Sequence, residues 1–260
     1  MHLNKQQYNS KIQVYYGKCN LNRDLVEEII QYVWMKQKAN KGNFKLVQDT
    51  KANVYKLEFD HCTYYVKSYK FRAIGKFLKN LFRPAEAVRY YKTALKLMQL
   101  DIEVAKPVLA LTCRKALFLV DSILVLEEVS GADLSTYLNQ VTTKKAREII
   151  IKKLAVIWSK LIHHKFLHLD PRLVNFIIYD KADEVHIKLI DIDSVMRLSL
   201  LPFKMILVKN LTRLNRRLLN EFTAFEIDLF FEEFIKNCQK EMKINLLQEI
   251  YQRPSSHHRI

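Results

Sequence analysis

Between Asn22 and Gln37 the apolar positions fall at Leu25, Val26, Ile29, Ile30 and Val33, three and four residues apart, with Asp24, Glu27 and Glu28 in the early turns. That spacing predicts a helix with one apolar stripe and acids at the end where its dipole favours them. The period then changes. Phe44 to Val47, Asn53 to Phe59 and Thr63 to Tyr69 are short runs rich in Val, Tyr, Phe and Thr, divided by Gln48-Asp49-Thr50 and by Asp60-His61. These predict three antiparallel strands. After Pro84, Ala85 to Leu100 returns to helical spacing with Val88, Tyr91, Leu95 and Met98 on one face. Lys106-Pro107 breaks that pattern, and Val108 to Leu111, Ala116 to Val120 and Ser122 to Glu128 read as further strands.

Past Gly131 the composition shifts. Lys144 to His164 is a long helical pattern with Ile150, Leu154, Ile157, Trp158 and Leu161 in register. Phe176 to Tyr179 and Val185 to Ile190 predict a strand pair joined by Asp180-Lys181-Ala182-Asp183. From Phe203 the pattern is helical in two or three segments, ending in a polar tail at Pro254. The expected organisation is an N-terminal extension with a helix over 1–43, a sheet-rich lobe over 44–130, and a helical lobe with an embedded hairpin over 131–260, hinged near Glu128 to Gly131.

The 260 residues are 49% hydrophobic, which supports a core and excludes disorder as the main state. Only Gly17, Gly42, Gly75 and Gly131 are glycines, so neither the dinucleotide-binding G-x-G-x-x-G nor a P-loop can be spelled. No apolar run approaches the roughly 18 residues of a membrane span, and the N-terminus lacks a secretory signal, so a cytosolic setting is expected. Cys19, Cys62, Cys113 and Cys238 are far apart and fit reduced packing residues better than a zinc site or a disulfide framework.

Lys and Arg number 43 against 27 acids, a formal charge of +16. The excess is concentrated. Val66 to Lys96 holds Lys67, Lys70, Arg72, Lys76, Lys79, Arg83, Arg89, Lys92 and Lys96 against the single acid Glu86. Ser194 to Asn220 holds Arg197, Lys204, Lys209, Arg213, Arg216 and Arg217 with no acid. Such blocks attract polyanions: nucleic acid, an anionic membrane face or a phosphorylated glycolipid. No nucleic-acid module is recognisable, so nucleic acid is not expected as a partner.

The chemistry lies in His168-Leu-Asp170-Pro-Arg172-Leu-Val-Asn175 and in Lys188-Leu-Ile-Asp191-Ile-Asp193. This layout resembles the catalytic loop H-R-D-x-x-x-x-N and the D-F-G turn of protein kinases. The resemblance implies ATP and Mg2+ as cofactors, Asp170 as the base for an acceptor hydroxyl, Asn175 and Asp191 as metal ligands, and Arg172 as a counter-charge for the transferred group. It implies that Lys67, at the end of the third predicted strand of that lobe, binds phosphate, with Glu86 as its default ion-pair partner. Glu127 and Val129 would offer hinge backbone to adenine, and Thr50 in the glycine-free loop between the first two strands of the lobe would approach the phosphates.

Three departures narrow the likeness: that loop has no glycine, no A-P-E follows Asp191, and Asp193 replaces the glycine of D-F-G. With Tyr65-Val66-Lys67-Ser-Tyr-Lys70, Leu100-Asp-Ile-Glu-Val-Ala-Lys-Pro107 and Leu211-Thr-Arg-Leu-Asn-Arg216, they make the chain similar, from about Phe44 to Leu219, to the lipopolysaccharide core (heptose and 3-deoxy-manno-octulosonic acid, Kdo) kinases. That likeness implies an α+β, two-lobed protein-kinase-like fold without an extended activation segment, and an anionic glycolipid or core oligosaccharide as acceptor. It also implies peripheral association with the cytoplasmic face of the inner membrane. Asp193, Arg197, Arg213, Arg216 and Arg217 are the expected acceptor contacts. A small atypical protein serine/threonine kinase and an inactive kinase-like binding protein remain as alternatives.

Overall fold

The computed structural model describes residues 3–17, 21–50, 52–69, 83–114, 120–141, 143–182, 184–198 and 203–238. The expected strand at Ala116, four of the nine cations of the first basic block (Lys70, Arg72, Lys76, Lys79) and the tail from Pro254 lie outside them. The chain divides into two compact units, Met1–Gln99 with Val104–Val129, and Leu100–Glu103 with Ser130–Ile260.

The first unit is built on seven antiparallel strands: β1 (Asn4–Gln7), β2 (Ile12–Tyr16), β3 (Asn43–Asp49), β4 (Ala52–Phe59), β5 (Cys62–Tyr69), β6 (Pro107–Arg114) and β7 (Val120–Glu127). Their order across the sheet is β1-β2-β6-β7-β5-β4-β3. Residues 1–43, read from sequence as an extension, thus supply two strands of this same sheet and the helix that covers it. The hairpin leaves no hydrophobic alternation in its first strand because β1 is polar throughout. Its turn is set by the Asn9 side chain, which accepts from the backbone N–H of Lys11 and of Ile12, each at 2.9 Å.

Period-2 alternation divides the sheet into two faces. On one, Val14, Tyr55, Leu57, Val66, Leu109, Leu111, Ile123 and Val125 pack against Leu25, Val26, Ile29, Ile30 and Val33. Those five come from α1 (Arg23–Ile29) and the π-helical turn Ile30–Trp34 that continues it. Asn22 caps α1, its side chain accepting from the Leu25 N–H at 3.0 Å. The opposite face carries α2 (Glu86–Gln99), whose Ala87 N–H donates to the Ser122 hydroxyl at 3.4 Å.

One acid organises the approach to β3. Glu28, only 4% exposed, accepts through a single carboxylate oxygen from the backbone N–H groups of Asn40 (2.7 Å), Lys41 (3.0 Å) and Gly42 (2.9 Å). A Cβ on Gly42 would lie 2.7 Å from Leu57 Cδ1, so a larger residue here would have to displace the end of the buried Leu57 side chain.

The second unit holds β8 (Ala132–Asp133), α3 (Leu134–Gln140), α4 (Lys144–His163), β9 (Phe166–His168), a 3-10 turn at Leu173–Asn175, β10 (Phe176–Lys181), β11 (Glu184–Leu189), β12 (Val195–Arg197), α5 (Phe203–Leu218) and α6 (Ala224–Asn237). Strands β11-β10-β8 form one small sheet and β12-β9 another. The two- and three-residue strands have no period to read and were not expected. Leu100–Glu103 belongs here because Glu103 accepts the Leu189 N–H on its carbonyl at 3.0 Å and holds His186 Nδ1 at 2.8 Å and the Tyr179 hydroxyl on its carboxylate. Gly131 has φ +128°, and a Cβ there would meet the Ile178 carbonyl at 2.2 Å, so β8 can join β10 only after a glycine. Helix α6 packs on α4, locked by Glu226, which is buried and accepts from Arg147 Nε at 2.7 Å. No helix among the described residues is long and apolar enough to cross a membrane.

Replacing Glu28 by Ala should cost about 2 kcal/mol, since it strips three backbone donors of a charged acceptor in a buried place. Glu28→Gln, which retains an acceptor oxygen, should lose less. Denaturant midpoints of the two variants check this.

Candidate active site

Strand β9 ends on His168, whose side chain is wholly buried. The imidazole lies parallel to the Trp158 indole, 6.1 Å between centroids, and its Nδ1 is 3.0 Å from the Ser194 hydroxyl. Burial pushes its pKa down from 6.5 to about 4, over the opposing pull of the Asp191 and Asp170 carboxylates, so the ring is neutral at physiological pH. Both aspartates therefore lie close enough to bear on this ring, which sits under the loop.

The chain after His168 is held chiefly through its backbone. The His168 carbonyl accepts from Asn210 Nδ2 of α5 at 2.6 Å, the Leu169 carbonyl accepts from the Arg213 guanidinium, and the Leu169 N–H donates to the Ser194 carbonyl at 3.0 Å. Pro171 then keeps Asp170 out of the helical region. Asp170 is half-buried, and its carboxylate is 3.1 Å from Arg172 Nε. The Asn175 side-chain NH2 donates to the Asp170 carbonyl at 3.2 Å, which leaves the amide oxygen of Asn175 for another partner. The Asn175 carbonyl accepts the Ile190 N–H at 3.0 Å, tying the loop to the residue before Asp191. One side-chain amide bond and one backbone bond thus tie together Asp170, Asn175 and the residue before Asp191. Asp193, two residues beyond, is exposed.

Of the expected acceptor arginines, Arg197, Arg216 and Arg217 are exposed, on β12 and in the last turn of α5. Arg213 is on the loop backbone. Sequence reasoning missed Ser194 and Asn210. For Asn210 a signal exists: it is an amide on the buried stripe Leu207, Leu211, Leu214, and a buried amide in such a stripe needs a partner.

In the first unit, Lys67 on β5 pairs in register with Val54 and with Leu124, and so lies on the face of the sheet that α2 covers. Its ammonium is 5.5 Å from the centre of the Tyr69 ring. Glu86 begins α2 and lies 3.8 Å from Arg89 of its own helix. Glu127 and Glu128 donate their N–H groups to the Lys106 and Thr63 carbonyls at 3.0 and 3.1 Å, and their carboxylates meet Lys106 and Lys56 at 2.6 and 3.0 Å. Val129 ends this unit. Thr50 is exposed in the β3–β4 turn, its hydroxyl accepting from Gln48 at 2.8 Å.

Among the described residues no group of three or more His, Cys, Asp and Glu could cage a metal. One amide and one or two carboxylate oxygens fit Mg2+ that retains waters and nucleotide phosphates for its other positions. The donor set at Asn175 and Asp191 is of that kind.

Among many solved chains of similar fold is "WaaP in complex with acyl carrier protein", with a TM-score of 0.58 over 86% of this chain and 94% of that one, at 16% identity. The two chains share a fold. It is the kinase-like α+β fold that the likeness to the lipopolysaccharide core kinases implies. No family model matches the sequence, and no curated protein matches it by sequence.

The neutral His168 makes stability depend on pH. The unfolded chain takes up a proton near pH 6.5 and the folded one only near 4. Its contribution is full above 6.5 and is lost as pH falls towards 4, by about 3 kcal/mol in all. His168→Asn should flatten the pH dependence of the urea midpoint across that window, whatever it does to the midpoint at pH 7.

Proposed function

We propose that the protein is an ATP- and Mg2+-dependent kinase that phosphorylates a sugar hydroxyl, of heptose or Kdo, in the lipopolysaccharide inner core at the cytoplasmic face of the inner membrane. The observation that carries this reading is the tie between Asp170, Asn175 and the chain before Asp191. The Asn175 amide on the Asp170 carbonyl and the Ile190 N–H on the Asn175 carbonyl hold together the three residues that this reading needs for a hydroxyl-orienting carboxylate and two metal-binding oxygens, on a fold shared with WaaP.

In this reading Asp170 accepts the proton of the attacking hydroxyl, and the Arg172 guanidinium beside it offers a cation to the migrating phosphoryl group. Asn175 and Asp191 hold the metal. Lys67 orients the nucleotide phosphates, and the backbone at Glu127 and Val129 receives the adenine. Bound ATP and Mg2+ supply the phosphoryl group and neutralise the charge that develops on it. A sugar acceptor is favoured over a protein because β12 and α5 follow Asp191 closely, where a protein kinase has a docking segment.

Asp170→Ala should leave nucleotide affinity nearly unchanged and reduce phosphoryl transfer to core oligosaccharide at least a thousandfold, followed by mass spectrometry of the product. Retention of a tenth of the rate would remove Asp170 from the mechanism. Asp191→Ala and Asn175→Ala should each raise the Mg2+ concentration needed for half-maximal turnover, Asp191→Ala the more because it removes a full charge.

A further inference from the structure

The corner between α5 and α6 leaves two large apolar side chains outside. Leu219 is 55% exposed and Phe225 is 51% exposed, although their neighbours Leu218 and Phe222 are buried at 0% and 5%. The corner is not loose. The Phe222 N–H donates to the Leu218 carbonyl at 2.8 Å, and Arg147 donates to the Glu221 carbonyl at 2.6 Å. The Glu221 carboxylate accepts from the Ser135 hydroxyl at 2.7 Å, and Thr223 with Glu226 forms a capping box at the start of α6. Leu219 and Phe225 are therefore held out by a built turn.

Their surroundings are cationic. Arg216 and Arg217 are exposed in the turn of α5 just before Leu219. Lys144 has its ammonium 4.6 Å from the centre of the Phe225 ring, and Lys145 beside it is exposed. The nearby acids are fewer in effect. Glu148 is 4.0 Å from Lys144, Glu226 is paired with Arg147, Glu221 is bonded as above, and Asp228 is exposed a turn into α6.

We infer that this corner is a membrane-docking wedge, with Leu219 and Phe225 entering the interface of an anionic bilayer and Arg216, Arg217, Lys144 and Lys145 meeting its lipid phosphates. Apolar tips in a cationic rim suit such a surface: hydrocarbon burial and attraction to anionic lipid act at the same place.

The position also bears on the acceptor, a point that rests on the kinase reading. Arg213, bonded to the Leu169 carbonyl next to Asp170, is six residues from Leu219, about 9 Å along the helix. A wedge at the end of the helix that holds this loop would bring the loop towards the bilayer that carries a lipid-linked glycan.

Sedimentation with vesicles of phosphatidylglycerol and phosphatidylcholine, without nucleotide or acceptor, tests the wedge. The full chain should bind these and not pure phosphatidylcholine vesicles. Leu219→Ser with Phe225→Ser should weaken binding at least about tenfold, and Arg216→Gln with Arg217→Gln by a similar factor that vanishes in high salt, with unfolding midpoints unchanged. Unchanged partitioning of the Ser variant would overturn the proposal. So would a wild-type dimer that the Ser variant converts to monomer, since a second copy would then be the occupant. If transfer occurs, the Ser variant should lose turnover on vesicle-embedded acceptor and retain it on deacylated core oligosaccharide. Absence of turnover on both acceptors in the wild type would count against the kinase reading and leave the vesicle result standing.

Discussion

A short stretch of chain that makes almost no regular structure of its own has to be held in one conformation. The loop from His168 to Asn175 begins at the end of a three-residue strand and ends in a single 3-10 turn. Such pieces are unstable alone, since each ordered residue costs about 1 to 2 kcal/mol of backbone entropy and few ladder bonds return it. Side chains and carbonyls from elsewhere make up the difference. Asn210 and Arg213 take the carbonyls of His168 and Leu169, Ser194 takes the Leu169 N–H, and Asn175 closes the loop on Asp170 and on Ile190. His168, with Trp158 against its ring, supplies the apolar floor. Three elements distant in sequence therefore converge on one turn, and the backbone that carries Asp170 and leads into Asp191 is placed as a consequence.

The first unit solves a different problem. A seven-stranded antiparallel sheet with a helix on each face must commit every residue of its inner strands to one helix or the other, and a slip by one residue would exchange the two sets. Val66 and Val125 go to α1, while Lys67 and Leu124 go to the α2 side. A lysine on that face, in a strand whose neighbours are buried, keeps its apolar stem packed and its ammonium at the aromatic ring of Tyr69. The extra cover from α1 explains how the polar N-terminal hairpin can be part of this sheet: Ile12 and Val14 add to a core that is already in place.

The positive charge is compatible with this fold because much of it is exposed. Arg197, Lys209, Arg213, Arg216 and Arg217 all lie at the surface, and α5 turns its Leu and Val positions inward while presenting the cations outward. Exposed ion pairs such as Lys41 with Asp24 contribute little to stability. The buried pair of Arg147 with Glu226 is another matter, since it fastens the turn before α6 to α4 and could not lose one partner without leaving a charge in the core.

The features that can be read from neighbouring residues are those whose interactions are short in range. Helices α2 and α4 and strands β4, β5, β10 and β11 were legible because their apolar residues repeat with the period of the element, a property of ten or so neighbouring residues. The types and spacing of His168, Asp170, Asn175 and Asp191 were legible for the same reason, as a local pattern. The strands β8, β9 and β12 were not, because two or three residues have no period and form only when a partner strand already exists. Nor was the membership of residues 1–43 in the seven-stranded sheet, since pairing β2 with β6 joins Ile12 to Cys113 across a hundred residues that no local pattern connects. The tertiary structure alone decided that Asn210 and Arg213 face the loop backbone, while Leu219 and Phe225 face out. A residue's side of a helix can be read from its spacing, but what lies opposite that side depends on where the rest of the chain has packed.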